Sequence, residues 1–165
     1  FKLLILMYSV ILIYNILKIG GLGCVAFTGF VAFMAYSGIA STMRDSEGQF
    51  RRKKSFKSIL GGILFLSFLL GLLFAANLFY GHSLIAKPSF LNLWLNSFGV
   101  FFVIHLYDLI VLDYLVVVKW HPKFLRLPNT AYYTTFKPHL SGFFKGIPFG
   151  IVTSILASLL ALWFI

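Results

Sequence analysis

Two of the chain's four carboxylates fall inside one apolar run, Val103-Ile104-His105-Leu106-Tyr107-Asp108-Leu109-Ile110-Val111-Leu112-Asp113-Tyr114. An Asp at the centre of a membrane helix costs about 2.5–3.5 kcal/mol on insertion scales, and it persists where the group faces a protein interior, a wet cavity or a partner. On a 3.6-residue helix His105 and Asp108 are neighbours at i and i+3. Asp113 lies about 80° to the other side of His105, so the three share one broad face. Counted back from Lys119, Asp113 lies about 9 Å into the helix, Asp108 about 16 Å and His105 about 21 Å. An imidazole–carboxylate stripe of this kind can hold a proton, an ion or a polar head group. The structural alternative pairs Asp113 with Lys119 or Lys145 and Asp108 with His105, and serves helix packing alone.

Other chemistry finds less support. His121 and His139 are further histidines on the same half of the chain, but no HExxH or HxxxH spacing exists, and His121 sits beside Lys119 and Lys123. Neither a metal centre nor a cofactor is therefore expected. Cys24 is the only cysteine, which excludes an internal disulfide and a Cys-rich metal site. No GxSxG elbow is present. Gly21-Leu22-Gly23-Cys24-Val25-Ala26 matches a dinucleotide fingerprint in letters, but that motif needs a soluble βαβ unit around it. Lys123, Arg126, Lys137 and Lys145, with Trp120, Phe124, Tyr132 and Tyr133, form a basic, aromatic surface suited to anionic head groups. Lys123, Arg126, His139 and Lys145 are its candidate head-group or phosphate contacts.

The elements that must position these groups are membrane helices. The 165 residues are 60% hydrophobic and only 11% charged, too few charges to clothe a soluble body. From Leu3 to Ala40 the only charge is Lys18, and Ser58–Ala86 and Gly146–Ile165 contain none. Runs of about 18 or more apolar residues cross a hydrocarbon core about 30 Å thick, and lipid requires them to be helical. The expected fold is an all-α integral membrane bundle of about five spans, at 2–17, 22–41, 58–80, 90–118 and 146–165. The Lys18-Ile19-Gly20-Gly21-Leu22-Gly23 cluster supplies the turn between the first two. A single tilted span preceded by an interfacial helix is the alternative, which gives four. Loops 42–57 and 119–145 carry most of the 14 Lys and Arg, so both are expected on the cytoplasmic side, with the N-terminus. This distribution accounts for the net charge of +10 without a nucleic-acid partner.

The stretch from His105 to Tyr114, then Pro122-Lys123-Phe124, Pro128-Asn129-Thr130 and His139-Leu140-Ser141-Gly142-Phe143-Phe144-Lys145-Gly146, resembles an uncharacterised family of small bacterial multi-spanning membrane proteins. Their shared core is L-[FY]-D-L-x-V-L-D-[WY], followed by a proline-containing loop and H-x-x-G-F-x-x-G. The resemblance covers the C-terminal third, and His105 departs from it where Asn is the expected residue. It implies a bacterial cell membrane, no particular activity, and attention to the two aspartates and His139.

Together these features lead us to expect a non-enzymatic, multi-pass membrane protein. It would be a small transporter or a subunit of a membrane complex, with a cytoplasm-facing polar pocket for an ion, proton or lipid head group. Its small size implies a homo-oligomer or a partner membrane protein, alongside membrane lipids. The alternative is a membrane-embedded enzyme acting on a lipid or lipid-linked substrate. Asp108 or Asp113 would then be general base, and His139 general acid or phosphate ligand.

Overall fold

The computed structural model describes residues 2–45, 47–48, 55–84, 86–122 and 129–165. It is an all-α membrane bundle, with four helices among the described residues long and apolar enough to cross a bilayer. In chain order the described elements are α1 (Lys2–Tyr36), a short α2 (Ile39–Met43), α3 (Phe56–His82), α4 (Phe90–Tyr107), a π-helix (Asp108–Trp120), a single turn α5 (Ala131–Thr134) and α6 (Lys137–Ala161). The π-helix continues α4 to complete one span, Phe90–Trp120.

The hairpin expected at Lys18–Gly23 does not exist, because α1 runs unbroken through it. Gly20 and Gly23 serve close packing instead. A Cβ on Gly20 would meet the Val103 side chain at 2.9 Å, and one on Gly23 would meet Ile104 at 2.6 Å. Lys18 is tolerated at an exposed position of the helix, whose only turn comes at Gly38, with φ 71°. The described spans therefore number four rather than five.

The second boundary to move is the start of the last helix. Residues 137–145 were expected in a loop, yet α6 begins at Lys137. Proline lacks only a backbone N–H that the first helical turn leaves unbonded in any case, so Pro138 opens the helix rather than breaking the loop. His139 and Lys145 are helical as a result.

The chain divides into two compact units, and each long span contributes a segment to both. The first comprises Phe1–Cys24, Phe68–Ile104 and Ile147–Ile165; the second comprises Val25–Ser67 and His105–Gly146. The first unit packs Tyr80, Leu93 and Ala161 into a core flanked by Ile11, Leu12, Phe74 and Ile165. In the second, Phe65 meets Phe27 edge-on, with ring centroids 6.5 Å apart. Also in that unit, Gly61 lies under Ile39, Met43 and Met34.

Candidate functional site

The second unit holds all four carboxylates of the sequence. His105, Asp108, Asp113, Tyr132, His139 and Arg44 line a cavity of about 310 Å³, completed by Leu109, Gly142 and Phe143. The local winding explains how both aspartates reach it. In an α-helix five residues turn through about 500°, which leaves Asp108 and Asp113 about 140° apart. The i→i+5 bonding of the π-helix puts more residues into each turn, so a five-residue step brings the chain back to nearly the same face. The π-helix begins at Asp108, so both carboxylates are drawn into one cavity.

His139 is the pivot of this cluster. Its Nδ1 lies 3.0 Å from Asp113 Oδ1, and its Nε2 lies 2.8 Å from the Tyr132 carbonyl oxygen. A carbonyl can only accept, so Nε2 carries a hydrogen. Nδ1 and the carboxyl then share one further proton, held either as imidazolium–carboxylate or as imidazole–carboxylic acid. His105 is oriented differently. Its Nε2 is 2.9 Å from the Phe143 carbonyl, its ring stacks on Phe143, and Gly146 lies against it with no side chain to displace it.

Arg44 closes the cluster from the loop after α2. It donates from Nη1 to the Gly48 carbonyl at 2.7 Å and lies over the Tyr132 ring, 5.5 Å from its centroid. Gly48, at φ 74°, has the Tyr132 ring where a Cβ would stand. Burial pushes the Tyr132 phenol above its ordinary pKa, with Arg44 partly opposing, so Tyr132 is neutral at physiological pH. Against these engaged groups Asp108 stands apart. It is half-buried and makes no hydrogen bond or ion pair among the described residues.

The sequence-based candidates thus separate. His105, Asp108, Asp113 and His139 come together, and Asp113 pairs with His139 rather than with Lys119 or Lys145. Lys119 instead lies over the Tyr114 ring, and Lys145 is exposed on α6. Lys123 and Arg126 fall outside the described residues. Arg44 and Tyr132, read from sequence as loop charge and surface aromatic, turn out to be cavity walls. Among the described residues no three metal-ligating side chains lie close enough to hold an ion.

A second polar cluster, in the first unit, went unremarked in the sequence. Asn15 on α1 donates to Asn96 Oδ1 on α4 at 2.7 Å, Asn96 donates to Asn77 Oδ1 on α3 at 3.0 Å, and Asn77 donates to Ser158 Oγ on α6 at 3.1 Å. Ser97 Oγ meets Ser158 Oγ at 3.1 Å and donates to the Ser154 carbonyl at 3.2 Å. The Ala76 carbonyl receives a second bond from Asn96 at 3.2 Å. All are buried, and each amide nitrogen donates; within this cluster Ser154 Oγ alone has no partner among the described residues. The signal available in the sequence was one or two Asn inside each of three apolar runs, where an unsatisfied amide is costly.

No protein-family model matches the chain, and neither a curated protein nor a solved structure matches it.

Proposed function

We propose that the protein is a small transporter or a subunit of a membrane complex, and that its histidine–aspartate cavity takes up a proton or a small cation at Asp108. The observation that carries this reading is the contrast within the cavity. Asp113 and His139 satisfy each other, and Arg44 is held by Gly48 and Tyr132, whereas Asp108 lines the cavity with no hydrogen-bonding partner among the described residues. A carboxylate left so at membrane depth is costly unless something occupies it, and a proton or a desolvated cation is the smallest thing that can. The Asp113–His139 pair lines the same cavity, and the one proton it shares can be given up toward Asp108 and taken back.

The cavity belongs to the unit that includes the basic segment from Arg44 onward, and lysines and arginines gather on the cytoplasmic face. The site therefore opens toward the cytoplasm of a cell membrane. The same setting is implied by the family that residues 105–146 resemble.

Thermal unfolding of the protein in lipid nanodiscs tests the proposal. Sodium or potassium replacing choline at constant ionic strength, or acidification, should raise the midpoint by about 2–4 °C, because a ligand of the native state alone stabilises it. Asp108→Asn should remove that response while leaving a folded, inserted protein. A midpoint that responds identically in the wild type and Asp108→Asn would overturn the assignment.

A further inference from the structure

The first unit contains no Asp or Glu; its charges are Lys2, Lys18 and Lys87. Lys18 is a cation inside an apolar run with no acid in its unit to pair with. It is exposed, and among the described residues it makes no hydrogen bond or ion pair, only a contact over the Tyr14 ring at 5.7 Å. Its depth follows from the amide ladder. Asn15 lies level with Ala76 of the antiparallel α3, about 9 Å from the His82 end, and Lys18 is a further turn inward, about 14 Å in all. That is near the middle of a hydrocarbon core about 30 Å thick, where intramembrane cations pair with acids or line wet cavities.

The surface around it is shaped as well as charged. Lys18, Tyr14, Asn15 and Ser83 share a cavity of about 260 Å³ with Phe79 and Ile11. One turn along the same exposed face is Gly21. Gly20 and Gly23 are glycines because Val103 and Ile104 press on them, but a Cβ on Gly21 would meet nothing within 4 Å. Nothing inside the unit uses its smallness. A bare helix backbone beside an intramembrane charge is the arrangement that lets another helix approach closely and present a polar group.

We infer that this face of α1, centred on Lys18 and Gly21, docks a transmembrane helix of a partner protein that carries a carboxylic acid at mid-membrane depth. A second copy of the chain is a poor occupant, since a symmetric pairing would bring Lys18 against Lys18 with no acid in the unit to separate them. Lipid phosphates lie at the interface, roughly 15 Å from the bilayer centre, beyond the reach of a lysine folded back over Tyr14.

The test uses the whole protein in phosphatidylcholine bilayers with acceptor-labelled polyleucine transmembrane peptides, association being read by energy transfer. One peptide carries a central Glu, its control a central Gln. The Glu peptide should associate about tenfold more tightly than the Gln peptide, the gain expected of one strong interhelical polar contact. Lys18→Met should abolish that preference, and because it removes an intramembrane charge it should leave folding intact. Gly21→Ile, at a position with open space around it, should fold normally and weaken Glu-peptide binding. Equal affinity for the two peptides would overturn the proposal, as would a preference that survives Lys18→Met. A Glu preference untouched by Gly21→Ile would remove the docking face from α1. Loss of the Glu preference when phosphatidylglycerol replaces part of the phosphatidylcholine, with stabilisation by that lipid dependent on Lys18, would assign the lysine to a head group and overturn helix docking.

Discussion

The two units solve the same problem, polar side chains inside a membrane protein, in opposite ways. In the first unit the buried polar cluster is made of neutral amides and hydroxyls, bonded to one another from α1 through α4 and α3 to α6. In the second the clustered groups are ionisable, ring a cavity, and leave Asp108 without a hydrogen bond among the described residues. A closed neutral network has no capacity to spare for a ligand and fixes which helix faces meet. A titratable cluster with an open member has capacity to bind, and gives up stability to keep it. Stability and binding should therefore respond oppositely to substitution in the two units.

The largest effect is expected at Asn96, the centre of the ladder. Asn96→Leu keeps the size of the side chain but removes the acceptor for Asn15 and the donor to Asn77 and Ala76. Unfolding measured by denaturant titration in bicelles should show a loss of about 2–3 kcal/mol, since several buried groups lose partners together. Replacing Asn15, Asn77 and Asn96 all by Leu should recover part of that loss, because no orphaned amide then remains. A single substitution without cost would show that the ladder does not hold the unit together.

His139→Phe comes next, as the matched perturbation of the second unit. It retains a ring but strips Asp113 of its ion-pair partner and the Tyr132 carbonyl of its donor. Asp113 is part-exposed and can recover water, so the cost should be about 1–2 kcal/mol, below that at Asn96. A loss larger than that of Asn96→Leu would reverse the contrast between the units.

Gly48→Ala should cost about 1 kcal/mol or somewhat more, from the positive φ and the collision with Tyr132 together. Because Tyr132 supplies the carbonyl that orients His139, this substitution should also disturb the histidine. The pH dependence of the His139 ring resonance in NMR would detect it. An unchanged titration would separate the loop from the cavity.

The all-α membrane class was legible in the distribution of charge, and the ends of α3 lie within two residues of the expected 58–80. Other features were hidden for definite reasons. A glycine cluster reads alike whether it turns the chain or admits a neighbouring helix, and only Val103 and Ile104, some 80 residues away in sequence, decide for packing. The π-helix has the same apolar composition an α-helix would have, so its effect on Asp108 and Asp113 leaves no mark in the spacing. His139 and Asp113 were each singled out, but with α6 expected to begin at 146 the histidine sat in a loop and its pairing could not be foreseen. The asparagines were visible throughout; their meaning lay in the satisfaction of one amide by the next, which requires knowing which helices face each other.

The smallest stability effect, and the one that sharpens the comparison most, is expected at Asp108. Asp108→Asn swaps a carboxyl for an amide of nearly the same shape at a position where no hydrogen bond to the described residues is lost. The folded state then no longer holds an ionisable carboxyl at membrane depth in the same cavity as Asp113, and the cost of a charge there is removed. The net change in unfolding free energy should lie within about 0.5 kcal/mol of zero or on the stabilising side. That outcome, set beside a lost response to cations and protons, would mark Asp108 as held for binding at no benefit to the fold. If Asp108→Asn instead destabilises as much as Asn96→Leu, the carboxylate has a structural partner. The second unit would then be, like the first, a polar network that serves packing.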